Sequence, residues 1–466
     1  MLFRPFRRAA FAALAGGGVL LPAAAFAQDA HYHHQAEPAA TDHVDHADDA
    51  DHADHADHAG HGADARPETA HVMPDRHAGH GGMMAGPDDH AVTGSGTARM
   101  PAAAPMAGLH AQAGDWMLMA HGYAWGFHTN QGGPRGDSRT AVQSMAMLEA
   151  SRPLGDGVGL TLRSMASLDP LMGRRGYPLL FATGETAGGE PLVDRQHPHD
   201  LFMELSARID VEAGDGSLFV YAGLPGEPAV GPPAFMHRAS ARFNPEAPIA
   251  HHWFDSTHIT YGVVTAGWAG RTFQIEASAF KGREPDEQRW DIDPPKLDSV
   301  AVRATWTPTR NVAAQVSWAR LESPEVTHQQ GDESRLTGSL SYAADGIAAT
   351  AGWSRKDRLP GRVLDAWFLE STADLDTRNA VFGRVEQVEN DELFDHHMAM
   401  GEQSFRATKF AVGYAHTIPL GAIAGLSLGG SVMAYAKDDA LDAAYGKAPK
   451  GFTLFAKLSL GEVGAR

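Results

Sequence analysis

Cysteine is absent from all 466 residues. No disulfide framework and no thiolate metal site can be built, so any metal must be held by His, Met, Asp or Glu. Past the N-terminal leader, no apolar run is long enough to cross a bilayer as a helix. Basic charge is also scarce. The 38 Lys and Arg face 57 Asp and Glu, for a formal net charge of −19. A chain of this balance is a poor partner for nucleic acid, and cations are its natural ligands. Catalytic signatures are missing too. There is no GxSxG, the HH pairs lack the HExxH spacing of a metalloprotease, and no Ser–His pair of the phospholipase-barrel type stands out. The sequence is therefore not read as an enzyme.

What is present begins with "MLFRPFRRAAFAALAGGGVLLPAAAFAQDA". Arg4, Arg7 and Arg8 form a basic head, an apolar stretch follows, and Ala-Phe-Ala precedes Gln28. This is the pattern of a secretory signal peptide over 1–27. A membrane anchor is the competing reading, but the apolar part is short and broken by glycines. With no Cys after the leader, a lipoprotein is excluded.

From 28 to 113 the chain shows neither strand nor helix pattern and reads as a disordered arm of Ala, His, Asp, Gly, Pro and Met. Thirteen of the 26 His lie between His31 and His90. In "DHADHADHA" a His recurs at every third residue. The run holds too little apolar surface to offset the entropy of ordering. Imidazole suits Cu(II), Zn(II) and Ni(II), and thioether suits Cu(I). The candidate ligands are His46, His52, His55, His58, His61, His77, His80, Met83 and Met84. The alternative is a solubilising linker, although such a linker has no use for so much His.

After Gly114 the composition changes. In "LFMELSARIDV" (201–211), Leu201, Met203, Leu205, Ala207, Ile209 and Val211 fall on one face and Phe202, Glu204, Ser206, Arg208 and Asp210 on the other. This is strand periodicity. About sixteen such segments follow, near 116–128, 140–152, 157–168, 200–212, 216–223, 258–269, 271–281, 297–307, 311–321, 335–344, 347–355, 363–374, 377–388, 405–417, 423–435 and 450–460. Their connections alternate between tight turns ("GDG", "AGDG", "PTR", "ADG") and long polar loops such as 169–199, 224–257, 282–296 and 389–404. Short periplasmic turns opposite long external loops are the signature of a transmembrane antiparallel β-barrel, expected here over 114–466. A water-soluble sandwich would also alternate, but its loop lengths would not sort by parity. With an even strand count both ends face the periplasm, which puts the arm there. One feature departs from the usual pattern: "LSLGEVGAR" ends the chain on a polar tail rather than an aromatic residue.

Two sets of barrel residues carry candidate chemistry. In the first strand Met117, Met119, His121, Tyr123 and Trp125 share a face; in the second, Gln143, Met145, Met147, Glu149 and Ser151 do; in the third, Thr161, Arg163 and Met165. Hairpin pairing brings His121 close to Met147, with Met145 and Met165 nearby. Thioethers beside one imidazole suit Cu(I) or Ag(I). The alternative is that these methionines face lipid or fill space as adaptable apolar groups. The second set lies in the loops. "VDRQHPHDLF" offers Asp194, His197, His199 and Asp200. "FMHRASARFNPEAPIAHHWFDSTHI" offers Met236, His237, Glu246, His251, His252, Asp255 and His258. "ENDELFDHHM" offers Glu392, Asp395, His396, His397 and Met398. These clusters either converge as a metal site or fold the loops inward by ion pairs and hydrogen bonds.

The stretches "GGPRG", "RGYPLLFATGET", "DRQHPHDLFMEL", "NPEAPIAHHWFDSTHITYGVV", "SAFKGREPDEQRWD" and "AYGKAPKGFTLFAKLSL" resemble a family of largely uncharacterised bacterial outer-membrane β-barrels associated with copper and heavy-metal resistance loci. The layout also resembles that of copper-resistance barrels, with a His/Met-rich arm ahead of a barrel. The resemblance implies an outer-membrane barrel but carries no activity with it; the arm and the candidate ligands lead to the reading of a protein that binds and passes or sequesters transition-metal cations, copper first, with zinc, nickel or silver also in view. Outer-membrane lipid and periplasmic metal carriers are its expected partners. The alternative function is a general or small-solute porin whose arm only buffers metal, and an outer-membrane enzyme comes third.

Overall fold

The computed structural model describes residues 89–105, 108–328, 331–395, 397–401 and 403–461. Sixteen strands form a closed antiparallel barrel. Half of the circuit is β1 Trp116–Gln131, β2 Ser138–Gly155, β3 Val158–Ala166, β4 Phe202–Ala213, β5 Gly216–Gly223, β6 Val263–Gly270, β7 Phe273–Phe280 and β8 Ser299–Thr309. The rest is β9 Val312–Leu321, β10 Asp332–Ala344, β11 Ile347–Leu359, β12 Val363–Asp374, β13 Asn379–Asn390, β14 Phe405–Pro419, β15 Ala424–Lys437 and β16 Lys450–Leu460. Each strand pairs with the next, and β16 closes on β1 from Gly451↔Gln131 to Leu460↔Gly122. A short strand, Leu109–Ala113, covers the rest of β1, from Leu109↔Ala120 to Ala113↔Trp116. The chain end and the segment before β1 thus share one stave and leave no open edge.

The wall is inverted relative to a soluble protein. Val142, Leu148, Leu162, Val220, Val302, Leu340, Leu369, Val432 and Leu454 are exposed, whereas Arg163, Glu276, Arg303, Arg335, Glu370 and Arg384 are buried. Apolar-out and polar-in alternation is what a bilayer demands, and it excludes the soluble sandwich. Exposed aromatic side chains stand near both strand ends. Phe273, Trp306, Tyr342 and Tyr414 lie toward the short turns, and Trp318, Trp367, Phe410 and Phe452 toward the long connections. Such girdles mark the two membrane interfaces. Loop lengths sort by end as expected. The turns after β2, β4, β6, β8, β10, β12 and β14 are short, and the long loops 167–201, 224–262 and 281–298 occupy the other end.

All sixteen expected strands are present, with most bounds shifted by one to four residues and the start of β6 shifted by five. Alternation from 258 suggested an early start for β6, but β6 begins at Val263. Gly262 has φ +96°, a left-handed conformation that turns the chain, so His258 stays in the loop.

The expected arm boundary at 113 also needs correction. Residues 91–93 and 99–101 form a hairpin, and 109–113 completes the barrel. The hairpin stands inside the barrel, where wall groups hold its backbone. Arg163 donates to Gly96 O (3.1 Å), Gln274 to Thr97 O (2.9 Å) and Arg99 to Gly270 O (2.7 Å), while Thr97 Oγ1 donates to Glu276 (2.5 Å). Strands this short carry no readable period. They exist because the wall supplies their partners.

The long loops fold into the barrel as well. Tyr177, Leu179, Leu180 and Phe181 from the loop after β3, and Phe235, Phe243, Ile249, Trp253 and Phe254 from the loop after β5, pack against Trp125, Phe127, Phe368, Phe382 and Phe455 of the wall. Ion pairs staple them down. Arg238 meets Asp255 (2.9 Å) and Glu370 (2.6 Å), Lys409 meets Glu246 (2.8 Å), and Arg289 meets Glu185 (2.9 Å) and Asp200 (3.1 Å). Partners of opposite charge with hydrogen-bond geometry offset the desolvation that such burial costs.

Candidate metal centre

Two inward-folded loops bring five histidines together. "HPH" places His197 and His199 just ahead of β4. A single helical turn, His251–Phe254, presents His251 and His252, and the 3₁₀ turn Ser256–His258 presents His258. All five side chains are buried. Ring centroids lie 5.3 Å apart for His251–His252, 5.2 Å for His251–His258, 5.3 Å for His199–His258, and 6.1 and 6.0 Å from His197 to His251 and His252. His197, His251 and His252 each offer a ligand atom within 4.8 Å of the other two.

Hydrogen bonds fix the rings. His251 Nδ1 donates to Asp255 Oδ1 (2.9 Å), His258 Nδ1 to Asp255 O (2.6 Å), His199 Nδ1 to Asp169 Oδ2 (2.8 Å) and His197 Nδ1 to Pro198 O (3.1 Å). Carbonyl and carboxylate oxygens only accept, so Nδ1 carries the proton and Nε2 keeps its lone pair. Asp255 organises the cluster. Its Oδ2 also accepts from Arg238 Nη1 and from the Phe235 amide, both at 2.9 Å. The Nε2 atoms of His197, His199 and His258 are buried without a hydrogen bond. This pairing of an anchored Nδ1 with an available Nε2 is how proteins present imidazole to a metal.

Three buried carboxylates surround the triad. Glu284 Oε1 lies 3.1 Å from His252 Nδ1, Glu325 Oε1 4.0 Å from the same atom, and Glu185 Oε1 3.4 Å from His197 Nε2. Burial, followed by Arg289 and the neighbouring imidazoles, holds His197 well below the ordinary imidazole value, and burial with His251 and His199 does the same to His258. Burial lowers His251 too, against the opposing pull of Asp255. For His252 burial also acts downward, but Glu284, Glu325 and Glu185 hold it up at about 9. Glu185 is pushed up to about 7 by burial, against the pull of Arg289. The site has room for His252 only because residue 184 is glycine. A Cβ there would stand 2.4 Å from His252 Nδ1, and φ is +110°.

The other candidates divide. Cross-strand register places His121 opposite Met147, Met147 opposite Met165, and Tyr123 opposite Met145. The predicted juxtaposition is therefore real, and it faces inward. Met119, Met145, Met147 and Met165 are joined by Met203, Ile259 and Tyr261 in one packed cluster. His237 lies toward the short-turn side, where burial, then His121 and Arg163, lowers it to about 3. With His121, His199, Met100 and Met236 it lines a cavity of about 370 Å³. His397 is exposed and apart from the cluster, and His396 lies outside the described residues. So do His46, His52, His55, His58, His61, His77, His80, Met83 and Met84. Asp194, Asp200 and Glu246 are engaged by Arg135 (2.7 Å), Arg289 and Lys409 and serve to fold the loops. Sequence reasoning missed Asp169, Gly184 and Glu185 of the loop 167–201, Glu284 of the loop 281–298 and Glu325 of the loop after β9, which no motif links.

No protein-family model matches the chain, and no curated protein sequence matches it. Among solved structures, Salmonella typhi OmpF in complex with daunomycin is similar at 8% identity, covering 75% of this chain and 100% of that one with a TM-score of 0.48. An anion-selective porin from Comamonas acidovorans is similar at 12% identity, covering 74% and 99% with a TM-score of 0.46. OmpT of Vibrio cholerae is similar at 8% identity, covering 75% and 100% with a TM-score of 0.43. By its closed wall, apolar exterior and aromatic girdles, the chain has the fold of an outer-membrane β-barrel.

Proposed function

We propose that this outer-membrane barrel binds transition-metal cations inside its lumen and passes or sequesters them. The observation that carries the reading is the His197–His251–His252 triad, with three ligand atoms within 4.8 Å of one another. Once an entering ion displaces the proton that the surrounding carboxylates hold on His252, the three imidazoles with a carboxylate beside them form a nitrogen–oxygen donor set, which suits Cu(II), Zn(II) and Ni(II). Glu284 is the nearest oxygen donor. A resident ion would serve as cargo, held by the triad and kept from water by Phe235 and the surrounding loop core. The chain reaches residue 89 at the short-turn end, where Arg310 Nη1 donates to Asp89 O (2.7 Å). In a barrel of this type that end faces the periplasm. In this reading the His-rich arm, which precedes residue 89, exchanges cations there with the lumen or with periplasmic metal carriers.

The test uses the full chain purified in detergent, loaded with Zn(II) or Cu(II) and dialysed against a weak chelator. One equivalent per chain is expected to resist dialysis, and His251→Ala/His252→Ala is expected to lose it. An unchanged equivalent in that variant would place the metal elsewhere. A general or small-solute porin with a metal-buffering arm shares the architecture but needs a continuous aqueous path. It would conduct ions steadily in a planar bilayer and would retain no equivalent that depends on the triad.

A further inference from the structure

The triad is not isolated. From His251 the rings continue through His258 (5.2 Å) to His199 (5.3 Å). His199 in turn lines the 370 Å³ cavity. That cavity runs to Asp376, Thr377 and Arg378 in the turn after β12, at the short-turn end of the barrel. Its wall carries two more imidazoles, His121 and His237. Three of the cationic side chains along it are engaged: Arg238 with Asp255 and Glu370, Arg242 with Asp374, and Lys457 with Arg242 O; Arg378 is a fourth, in the turn at the short-turn end.

His199 and His258 have no evident structural need for a second ring nitrogen. Each is only 5% exposed, each Nδ1 is already satisfied, and each Nε2 is buried without a hydrogen bond. Leaving a buried nitrogen unpaired costs stability, and a phenylalanine would avoid that cost. Phe235 shows that an aromatic ring fits here. It stacks on His199 at 27° and meets His251 and His258 edge-on.

We propose that His251, His258 and His199 form a transfer route along which a divalent transition-metal cation moves between the triad and the cavity at the short-turn end. The route rests on the triad being a metal site. Zn–N bonds are about 2.0–2.1 Å, so one ion can bridge two imidazole nitrogens about 4 Å apart. Neighbouring ring centroids along this path are 5.2 and 5.3 Å apart, and the route has the cation pass from one imidazole to the next without being released into an apolar space. Asp169 acts on the route as a positioning residue, because it holds the proton on His199 Nδ1.

The experiment measures two quantities on the full chain loaded with Zn(II). One is the number of equivalents retained after dialysis. The other is the rate of release to excess strong chelator. His199→Phe/His258→Phe keeps an aromatic ring, somewhat larger than imidazole, and removes both lone pairs. Asp169→Asn is gentler. Its amide presents an N–H to His199 Nδ1, reverses the tautomer and puts a proton on Nε2, while its carbonyl still accepts from the Ser144 amide. Both variants are expected to keep the retained equivalent. Release should slow at least tenfold in the double variant and several-fold in Asp169→Asn. Release at the wild-type rate in both would overturn the route and leave the triad standing. A wild-type protein that retains no equivalent would overturn the proposed function and the route together. Folding is followed by the gel shift between unheated and boiled samples, and if the double variant fails to fold, Asp169→Asn decides.

Discussion

The histidine cluster and the methionine cluster lie inside the same barrel, and both are groups of metal-capable side chains. They differ in what surrounds the donor atoms. The histidines are anchored through Nδ1 by Asp255, Asp169 and Pro198, and three of their Nε2 atoms are left buried and unbonded. The methionines pack against one another and against Ile259 and Tyr261. Among the described methionines, only Met236, at the edge of that cluster, and Met100 from the hairpin line the cavity. A shared face is therefore not yet a site. A site also needs donors oriented by a second layer of hydrogen bonds and directed away from their packing neighbours. Thioether is an effective space-filler in a core, and its packing against apolar neighbours needs no ligand to justify it.

The largest expected break in this comparison comes from a single methyl group. Gly184→Ala puts a Cβ into the space of the His252 ring at a backbone angle that favours glycine. His252 must move, and the retained Zn(II) equivalent is expected to be lost, as read by metal analysis after dialysis. Next comes Asp255→Asn. It weakens the group that orients His251 and is expected to reduce affinity by about 10- to 100-fold. Competition against a chelator of known affinity measures this, and an effect below threefold would show that orientation by Asp255 is unimportant.

The methionine side of the comparison predicts much less. Met145→Leu/Met147→Leu keeps volume and apolarity, so each change should cost less than about 1.5 kcal/mol of stability. Zn(II) retention should be unaltered. Ag(I) titration of the same variant sharpens the contrast. Unchanged binding confirms packing as the role of the pair, and a lost equivalent would make the methionines a second, soft-metal site.

The smallest effect is expected away from both clusters and serves as their control. Glu227 lies beneath the hairpin tip at Gly96, where a Cβ on that glycine would touch it. Burial, against the pull of Arg303 and Ser95, raises its carboxyl to about 8. The unfolded chain loses this proton near the ordinary carboxylate value, but the folded chain keeps it until about pH 8. The folded state therefore binds more protons across that window. Stability from this group is greatest below the unfolded value and falls as pH rises toward 8. Glu227→Gln should flatten the slope of the unfolding temperature against pH without changing metal retention.

Particular residues show how much of this was legible in the sequence. The wall was, because period-two alternation and tight turns fix both strand and register. The His121–Met147–Met165 line follows from counting alone. The loop histidines were legible as candidates through their density. Their carboxylate neighbours were not. Glu185, Glu284 and Glu325 come from three loops, and only the folding of those loops inside the barrel brings them to the triad. The hairpin at 91–101 was hidden for a related reason. Its hydrogen-bond partners, Arg163, Gln274, Glu276 and Gly270, are wall groups far away in sequence.

The central claim is that a transition-metal ion sits among His197, His251 and His252. Anomalous diffraction from crystals of the Zn(II)-loaded protein, collected on both sides of the zinc edge, tests it most directly. The account predicts an anomalous peak within bonding distance of the three imidazoles, with Glu284 as the nearest carboxylate. A map whose zinc peaks all lie elsewhere, with the triad empty at full loading, would contradict it.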